Sequence, residues 1–381
     1  MTTGQDEITQ LVAFRRALHR IPELSGNEAR TAREVEAFTQ ASRPDQVIRA
    51  LGGHGLALIY AGSEPGPTVM IRAELDALPI AETGPVEWRS AVPGKGHLCG
   101  HDGHMAILAG LALRLGWQRP SRGRVVLMFQ PAEEDGSGAA AVIADARFPS
   151  IKPDFAFSLH NLPGLPLGHA VIEPGPANCA SVGMRLAFAG RTAHAAEPHK
   201  AVSPAMTIAR LVPALSALGT GGALDESFRL VTITHLSMGE PAFGITPGAG
   251  EVWATLRCLT DDGMSALKSA ALALAEAEAQ AAGLKLSVSW HDDFAASRND
   301  PEATALMRAA LMAAGLPVIP GEPMRASEDF GRFGATARSA MFWLGAGETH
   351  PALHAPDYDF PDSLIAPGLA AFERVIRDLL G

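Results

Sequence analysis

The stretch RVVLMFQPAEED, residues 124–135, contains the pattern that decides the fold. Its apolar half predicts a buried strand, and its acidic half predicts a polar loop where that strand ends. Strands that alternate with helices indicate an α/β sheet with helices on both faces. Three further apolar runs and one helical stretch complete the pattern: GLALIYAG (55–62), PTVMIRAEL (67–75), DFAFSLHN (154–161) and MAILAGLALRLG (105–116).

A different rhythm begins after Pro176. The chain there predicts strand, helix, two strands, helix and strand, which is the order of a ferredoxin-like βαββαβ module. We therefore predict that residues 177–290 form a small domain inserted into a larger one, which comprises residues 1–176 and 291–381. The six predicted elements are 181–190, 203–219, 228–239, 251–260, 261–283 and 284–290.

Composition narrows the class of protein. A formal net charge of −10 over 381 residues opposes binding to nucleic acid or to an anionic membrane surface. The chain has no run of 18 apolar residues, and its first ten residues lack the apolar core of a signal peptide. Cys99, Cys179 and Cys258 are too few and too scattered for a disulfide framework. We expect a cytoplasmic protein.

Polar side chains of the kind that bind metals collect at the predicted strand ends. An open α/β sheet gathers its chemistry at such ends. The segment CGHDGH (99–104) should lie just before a helix, with Asp102 placed to cap that helix. The other candidates are Glu74, Asp76, Glu133, Glu134, His160, His350 and His354.

Each of these residues also has an ordinary explanation. His160 could be a structural histidine, the adjacent glutamates a solvated pair, Asp102 only a helix cap, and Cys99 a small buried hydrophobe. Together, however, thiolate, imidazole and carboxylate suit zinc and neighbouring first-row metals. Two divalent ions about 3.5–4 Å apart can activate one water, provided that a second carboxylate, not bound to metal, takes its proton. Glu133 and Glu134 could divide those two tasks.

Seven motifs in a fixed order connect the chain to a known family: RAELDALP (72–79), GKGHLCGHDGHMAIL (94–108), FQPAEED (129–135), SLHN (158–161), GRTAHAAEPH (190–199), ASEDF (326–330) and LHAPDYDF (353–360). The chain resembles the M20 metallopeptidase family over roughly residues 14 to 375. The Cys-Gly-His-Asp form is similar to its amidohydrolase branch, which comprises hippurate hydrolases, N-acyl-amino-acid amidohydrolases (aminoacylases) and auxin-conjugate hydrolases. The resemblance implies a mixed-sheet metallohydrolase domain with an inserted lid.

The resemblance also implies a role for each site residue. Glu133 would be the general acid/base, and Cys99 would bridge two divalent ions of zinc, manganese or cobalt. Glu74 stands where the wider family has a histidine ligand, so His101 would supply the missing one. Asp76, Asp102 and His104 would orient the ligands from behind, and His97 flanks them. The implied metal ligands are Cys99, His101, Glu134, His160 and His354.

The resemblance assigns substrate-binding residues to the inserted domain. His194 matches a histidine that stabilises the tetrahedral oxyanion. Arg257, in ATLRC, matches an arginine suited to a substrate carboxylate; the ordinary alternative is a surface charge at a strand edge. Gly244, in AFGITPG, stands where the family usually has a substrate-binding asparagine. The inserted domain could also pair two copies into a homodimer, although the sequence fixes no oligomeric state.

The leading hypothesis is metal-dependent hydrolysis of an N-acyl amino acid. A metallo-dipeptidase or aminopeptidase would use the same dinuclear site, but the sequence assigns no acidic residue to hold a free ammonium. A thiol hydrolase based on Cys99 would leave the two glutamates and His354 without a role. A metal-binding protein without catalysis is the alternative from another class. The sequence does not identify the acyl group.

Overall fold

The computed structural model describes residues 4–381 of the chain. Its α-helices are α1 (Gly4–His19), α2 (Ala29–Thr39), α3 (His101–Trp117), α4 (Gly138–Ala144), α5 (Ala205–Ala217), α6 (Asp261–Ala281), α7 (Pro301–Ala313) and α8 (Ile365–Leu380). Its strands are β1 (Gln46–Leu51), β2 (Gly55–Ala61), β3 (Glu64–Glu74), β4 (Arg122–Gln130), β5 (Phe155–Pro163), β6 (Ala170–Val171), β7 (Gly175–Asn178), β8 (Ala180–Ala189), β9 (Ala193–His194), β10 (Arg229–Met238), β11 (Ile245–Thr246), β12 (Ala249–Cys258), β13 (Lys285–Phe294), β14 (Ser297–Asn299), β15 (Val318–Ile319) and β16 (Arg338–Gly347).

The chain divides into two compact units. The larger unit comprises the chain up to Ala177 together with Ser297–Glu322 and Asp329–Gly381. The smaller unit comprises Asn178–Ala296 and, in addition, Pro323–Glu328. The sequence pattern gave no indication that this last short segment belongs to the smaller unit, because it has no periodicity of its own.

The larger unit is built on an eight-stranded mixed sheet in the order β1-β2-β4-β3-β5-β16-β6-β15. Its four central strands, β4, β3, β5 and β16, run parallel to one another. Strands β1, β2 and β6 pair antiparallel to β2, β4 and β16 respectively. The α/β prediction is confirmed. Because the central strands are parallel, their carboxyl ends meet at one edge of the sheet.

Helix α3 lies in the core of the larger unit. It is apolar on nearly every side, and thirteen of its residues are buried. A helix that is hydrophobic all round has to be covered on all sides, and α3 is packed by α1, α8 and strand β3. The core is therefore continuous from the sheet to the outer helices, and it holds the start of α3 in place. Among the helices of residues 4–381, none is long and apolar enough to cross a membrane.

The smaller unit has the predicted ferredoxin-like order. Its sheet runs β10-β12-β8-β13, and every neighbouring pair is antiparallel. Alternate residues of β12, such as Val252 and Leu256, are buried in one cluster with the apolar residues of α5 and α6. The helices thus cover one face of the sheet, and the intervening residues of β12, among them Arg257, lie on the other face.

Candidate metal centre and substrate-binding residues

The parallel strands deliver the predicted side chains to one edge of the sheet. Glu74 is the last residue of β3, and Glu133 and Glu134 follow the end of β4. His160 lies in the second half of β5, and His354 lies in the loop that follows β16. These four strands are adjacent and parallel, so their polar carboxyl ends lie at one edge of the sheet, as predicted.

Gly100 shapes the turn that brings Cys99 beside His101. Its φ of +97° is in the left-handed region that favours glycine. A Cβ at this position would lie 2.2 Å from Oδ1 of Asn161, so any side chain would collide there. The turn therefore requires glycine for both its conformation and its close approach to β5.

The prediction that Asp102 caps a helix is wrong. The CGHDGH segment does not precede α3 but forms its start, since the helix begins at His101 and Gly100 occupies the cap position without a side-chain bond. Asp102 is thus already inside the first turn. Its Oδ2 accepts a hydrogen bond from Nδ1 of His19 at 2.9 Å and lies 2.9 Å from Nε of the buried Arg15. These contacts connect α3 to α1 and do not involve Cys99.

Five of the predicted side chains form a compact cluster around Cys99. Potential ligand atoms of Cys99, His101 and His160 lie within 4.8 Å of one another, and so do those of Cys99, Glu134 and His354. The sulfur of Cys99 is 3.4 Å from Nε2 of His160, and Nε2 of His354 is 3.5 Å from a carboxylate oxygen of Glu134. Cys99 is therefore common to two groups of three donors.

Glu133 lies at the edge of the same cluster. One of its oxygens is 3.9 Å from Nε2 of His101, and an oxygen of Glu134 is 3.8 Å from the same nitrogen. The two adjacent carboxylates thus approach the cluster together. His350, in contrast, does not join it, because its Nε2 donates to the carbonyl of Asp359 at 2.7 Å.

The two buried imidazoles are oriented by backbone carbonyls. Nδ1 of His101 donates to the carbonyl of Asp76 at 2.9 Å, and Nδ1 of His160 donates to the carbonyl of Asn161 at 2.8 Å. Both rings therefore present Nε2 to the cluster, and Nε2 of His101 is buried and has no hydrogen-bond partner among residues 4–381. Metal-binding histidines commonly have this arrangement, in which the second ring nitrogen is held by a carbonyl or carboxylate. The donor set fits metal ions.

Asp76 connects His101 to the glutamate pair. While its carbonyl holds the imidazole of His101, its Oδ2 accepts from the amide of Glu134 at 2.9 Å and from the hydroxyl of Ser25 at 2.8 Å. The Asp76 side chain is fully buried, so these contacts are shielded from water. Asp76 therefore fixes the backbone of one candidate ligand and the ring of another.

One residue of the cluster and one beside it have left-handed backbone conformations that are unusual for residues other than glycine. His354 has φ +66°, and Ala132, which precedes Glu133, has φ +51°. The amide of Ala132 donates to a carboxylate oxygen of the buried Glu28 at 2.8 Å, and the amide of His354 donates to the carbonyl of Leu98 at 2.8 Å. Such outliers cluster at functional sites, where the surrounding structure enforces them.

A buried polar network supports the cluster from behind. Arg72 forms ion pairs with Glu74 and with Asp329, the latter at 2.5 Å. Glu74 accepts from Nδ1 of His104 at 2.6 Å, and Nε2 of His104 is hydrogen-bonded to the side chain of Asn161 at 2.7 Å. Sequence reasoning missed Arg72, although a charged residue within an apolar strand was a usable signal.

The electrostatic environment of Cys99 bears on the thiol-hydrolase alternative. Burial, followed by the charges of Glu134 and Glu133, raises the pKa of the Cys99 thiol well above its usual value. A nucleophilic cysteine needs electropositive surroundings that lower its pKa. The nearby carboxylates act in the opposite direction, so these surroundings favour a cysteine that is deprotonated only by a bound cation.

The remaining histidine of the motif, His97, lies outside the cluster. It is buried, and neither ring nitrogen has a hydrogen-bond partner in the described part of the chain. Burial lowers its pKa to about 3, so this imidazole is neutral at physiological pH. His97 belongs to none of the donor groups around Cys99.

In the smaller unit, Gly244 and His194 lie next to each other. Strands β9 and β11 pair antiparallel, with Ile245 opposite His194. The amide of Ala195 also donates to the carbonyl of Gly244 at 3.0 Å, which extends the pairing of these two segments by one hydrogen bond. Nδ1 of the exposed His194 accepts from the amide of Ala196 at 3.1 Å, so its proton is on Nε2, which is available as a donor.

Arg257 is half-buried on the uncovered face of β12. Its Nη1 donates to the carbonyl of Arg325 at 3.0 Å and to the hydroxyl of Ser327 at 2.9 Å. Burial lowers the pKa of its guanidinium, and no ion pair links it to a carboxylate within residues 4–381. A partly buried cation without an anionic partner is costly, which is typical of a group that receives an anionic ligand.

The fold and the cluster define a class of metallohydrolase that acts on amide bonds. The chain belongs to peptidase family M20/M25/M40, whose model matches residues 70–378. The resemblance drawn from the seven motifs is confirmed.

Individual relatives agree with this family assignment. The chain is 30% identical to an N-acetyl-L-cysteine deacetylase of Bacillus subtilis (strain 168), over 96% of this chain and 90% of that protein. It is 28% identical to an N-acetyldiaminopimelate deacetylase of Leuconostoc citreum (strain KM20), over 96% of this chain and 95% of that protein.

Solved structures agree with the fold. A putative aminohydrolase from methicillin-resistant Staphylococcus aureus superposes with a TM-score of 0.87 at 27% identity, over 99% of this chain and 98% of that chain. The YxeP protein of Bacillus subtilis, described as a dinuclear metal-binding peptidase of the M20 family, has a TM-score of 0.83 at 24% identity, over 99% of both chains. The second likeness concerns the fold alone.

Proposed function

We propose that this protein is a metal-dependent amidohydrolase that cleaves N-acyl amino acids into a carboxylic acid and a free amino acid. The observation that carries the proposal is the position of Cys99, whose sulfur belongs to two groups of three potential ligands. A single thiolate shared by two donor groups would be able to help hold two metal ions.

The residues that would hold the metals are those of the cluster. Cys99, His101 and His160 form one donor group, and Cys99, Glu134 and His354 form the other. Mixed sulfur, nitrogen and oxygen donors suit zinc, manganese and cobalt alike, so availability would decide among them. Two bound ions would lower the pKa of a water and polarise the substrate carbonyl.

The protein's own residues would move the proton and position the substrate. Glu133 would take the proton of the attacking water and give it to the leaving nitrogen. Nε2–H of His194 would donate to the oxygen on which negative charge develops, which is worth roughly 3 kcal/mol in comparable sites. Nε and Nη2 of Arg257 would grip the carboxylate of the amino acid as a fork. Asp76 and His104 would keep the ligand side chains oriented.

An acetyl group is the acyl group that we propose first. Both relatives described above are named as deacetylases, one of N-acetyl-L-cysteine and the other of N-acetyldiaminopimelate. The YxeP protein of Bacillus subtilis, which has a similar fold, is described as a dinuclear metal-binding peptidase. The cytoplasmic location and a homodimer formed through the smaller unit remain predictions from the sequence.

The test is amino acid release from a panel of substrates by chelator-treated protein to which Mn²⁺, Zn²⁺ or Co²⁺ is restored. The panel contains N-acetyl amino acids, hippurate and an unacylated dipeptide. We expect activity to return with metal and to be highest on the acetylated compounds. Glu133→Gln should retain its metals, measured by mass spectrometry, and lose at least about a hundredfold in kcat.

Two kinds of result would contradict the proposal. Preference for the dipeptide would assign the site to a dipeptidase instead. Unchanged kcat in Glu133→Gln would remove Glu133 from the reaction, and a protein that binds metals but hydrolyses no member of the panel would fit a metal-binding protein without catalysis.

A further inference from the structure

We infer that Arg325 and Arg257 together form a subsite for two carboxylates, so that the preferred substrates are N-acyl derivatives of dicarboxylic amino acids of the aspartate and glutamate class. This inference rests on the proposed function, and it concerns residues of the smaller unit alone. The role of Arg257 is part of the proposed function. The role of Arg325 is the new element.

The two arginines are joined through the backbone. Nη1 of Arg257 donates to the main-chain carbonyl of Arg325 at 3.0 Å and to the hydroxyl of Ser327 at 2.9 Å. Segment Pro323–Glu328, which contains Arg325, packs as part of the smaller unit although it is distant in sequence. The same segment is tied to the start of β8, because the amide of Cys179 donates to the carbonyl of Met324 at 3.1 Å. The backbone of Arg325 is thus fixed beside Arg257.

The side chain of Arg325 is also held in place. Its Nη2 donates to the carbonyl of Gly222 at 2.9 Å, and the guanidinium carbon lies 5.6 Å from the centre of the Phe228 ring. An exposed arginine that was only solubilising the surface would need neither contact. The planar group is therefore presented in one orientation, with Nε and Nη1 still available as donors.

Both positive charges act on the same small region. The thiol of Cys179 is buried together with Phe228 and Leu259, and burial raises its pKa. The charges of Arg257 and Arg325 both oppose that increase. Neither arginine forms an ion pair with a carboxylate within residues 4–381, whereas Arg185 and Arg210 of the same unit do.

The guanidinium of Arg257 contacts the backbone of Arg325, so a ligand with two carboxylates would place one negative charge against each of these two cations. Arg257 has two donors left for one carboxylate, and Arg325 has its own donors for a second. Because Arg257 is hydrogen-bonded to the backbone of Arg325 itself, we expect the second carboxylate to lie close to the first. The side-chain carboxylate of aspartate or glutamate meets that condition.

The experiment compares N-acetyl-L-glutamate with N-acetyl-L-glutamine, which has the same shape and no second charge. For the native holoenzyme we expect a kcat/KM at least about tenfold higher on the glutamate compound, because a site built for a charged group rejects the neutral analogue. Arg325→Gln should reduce that ratio toward one, and Arg325→Lys should restore part of it. Arg210→Gln is the control, since Arg210 pairs with Glu278 on the helical side of the sheet, and it should leave the ratio unchanged.

A binding measurement keeps the inference separate from the proposed function. Calorimetric titration with glutarate and with butyrate does not depend on turnover. Glutarate binding that is weakened about tenfold in Arg325→Gln would support the subsite even if no acylated compound is hydrolysed. A native ratio near one, or a ratio and a glutarate affinity that Arg325→Gln leaves unchanged, would overturn it.

Discussion

The two units hold their candidate functional residues in opposite ways. In the larger unit, Cys99, His101 and His160 are buried, and hydrogen bonds fix both imidazoles. In the smaller unit, His194 is exposed, and Gly244 has open space around it. The comparison teaches that the proposed metal ligands are preorganised by the core, whereas the residues proposed to bind the substrate are left adaptable.

Cys99 gives the largest expected effect, because it belongs to both donor groups. Cys99→Ala should reduce bound metal from two ions per chain to less than one and lower kcat/KM by more than about a thousandfold. Cys258→Ala is the matched control, since Cys258 is also buried but packs in the core of the smaller unit. It should keep both metals and lose only about 1–2 kcal/mol of unfolding free energy. Metal content by mass spectrometry and thermal unfolding measure the two effects.

An unchanged metal content in Cys99→Ala would contradict the proposal that Cys99 is a ligand of both metal ions. The larger unit would then bind metal through carboxylates and imidazoles alone, and the thiol would be a structural residue. Equal losses of metal in both variants would indicate general unfolding rather than loss of a ligand.

Arg72 tests whether the preorganisation comes from the network behind the cluster. Arg72→Met would leave the buried carboxylates of Glu74 and Asp329 without their shared cation. Removal of one partner of a buried ion pair costs about 3–5 kcal/mol, so the free energy of unfolding should fall by that amount. Arg49→Met removes an arginine from an exposed surface pair with Glu36 and should change the free energy of unfolding far less.

Chemical denaturation of both variants, with metal present and absent, decides the point. Similar losses for Arg72→Met and Arg49→Met would mean that the buried network contributes no more than a surface pair. We expect the larger loss at Arg72 to persist without metal, because the network exists in the protein itself.

Much of this arrangement could be predicted from local pattern. The apolar runs and their polar ends place β3, β4, β5 and β16, and their parallel order then brings the cluster together. What local pattern could not supply was contact between distant segments. Asp102 looked like a helix cap because its partners, Arg15 and His19, lie in a helix more than eighty residues earlier. The segment that contains Arg325 joins the smaller unit only through tertiary contacts, so no periodicity could indicate it.

Gly244 gives the smallest expected effect and tests the adaptable side of the comparison. A Cβ at this position would meet no atom within 4 Å, and its φ lies outside the left-handed region. Gly244→Asn should therefore fold with a change in stability of less than about 1 kcal/mol. The added amide would lie beside the loop of His194 and offer one hydrogen bond to the substrate, worth about 1 kcal/mol, or roughly a fivefold lower KM on the preferred N-acetyl amino acid. Gly244→Ala adds a side chain without a donor and should leave KM unchanged. If Gly244→Ala and Gly244→Asn lower KM equally, the gain comes from a stiffer loop rather than from a new contact. The flexibility of this loop would then be what limits substrate binding by the smaller unit.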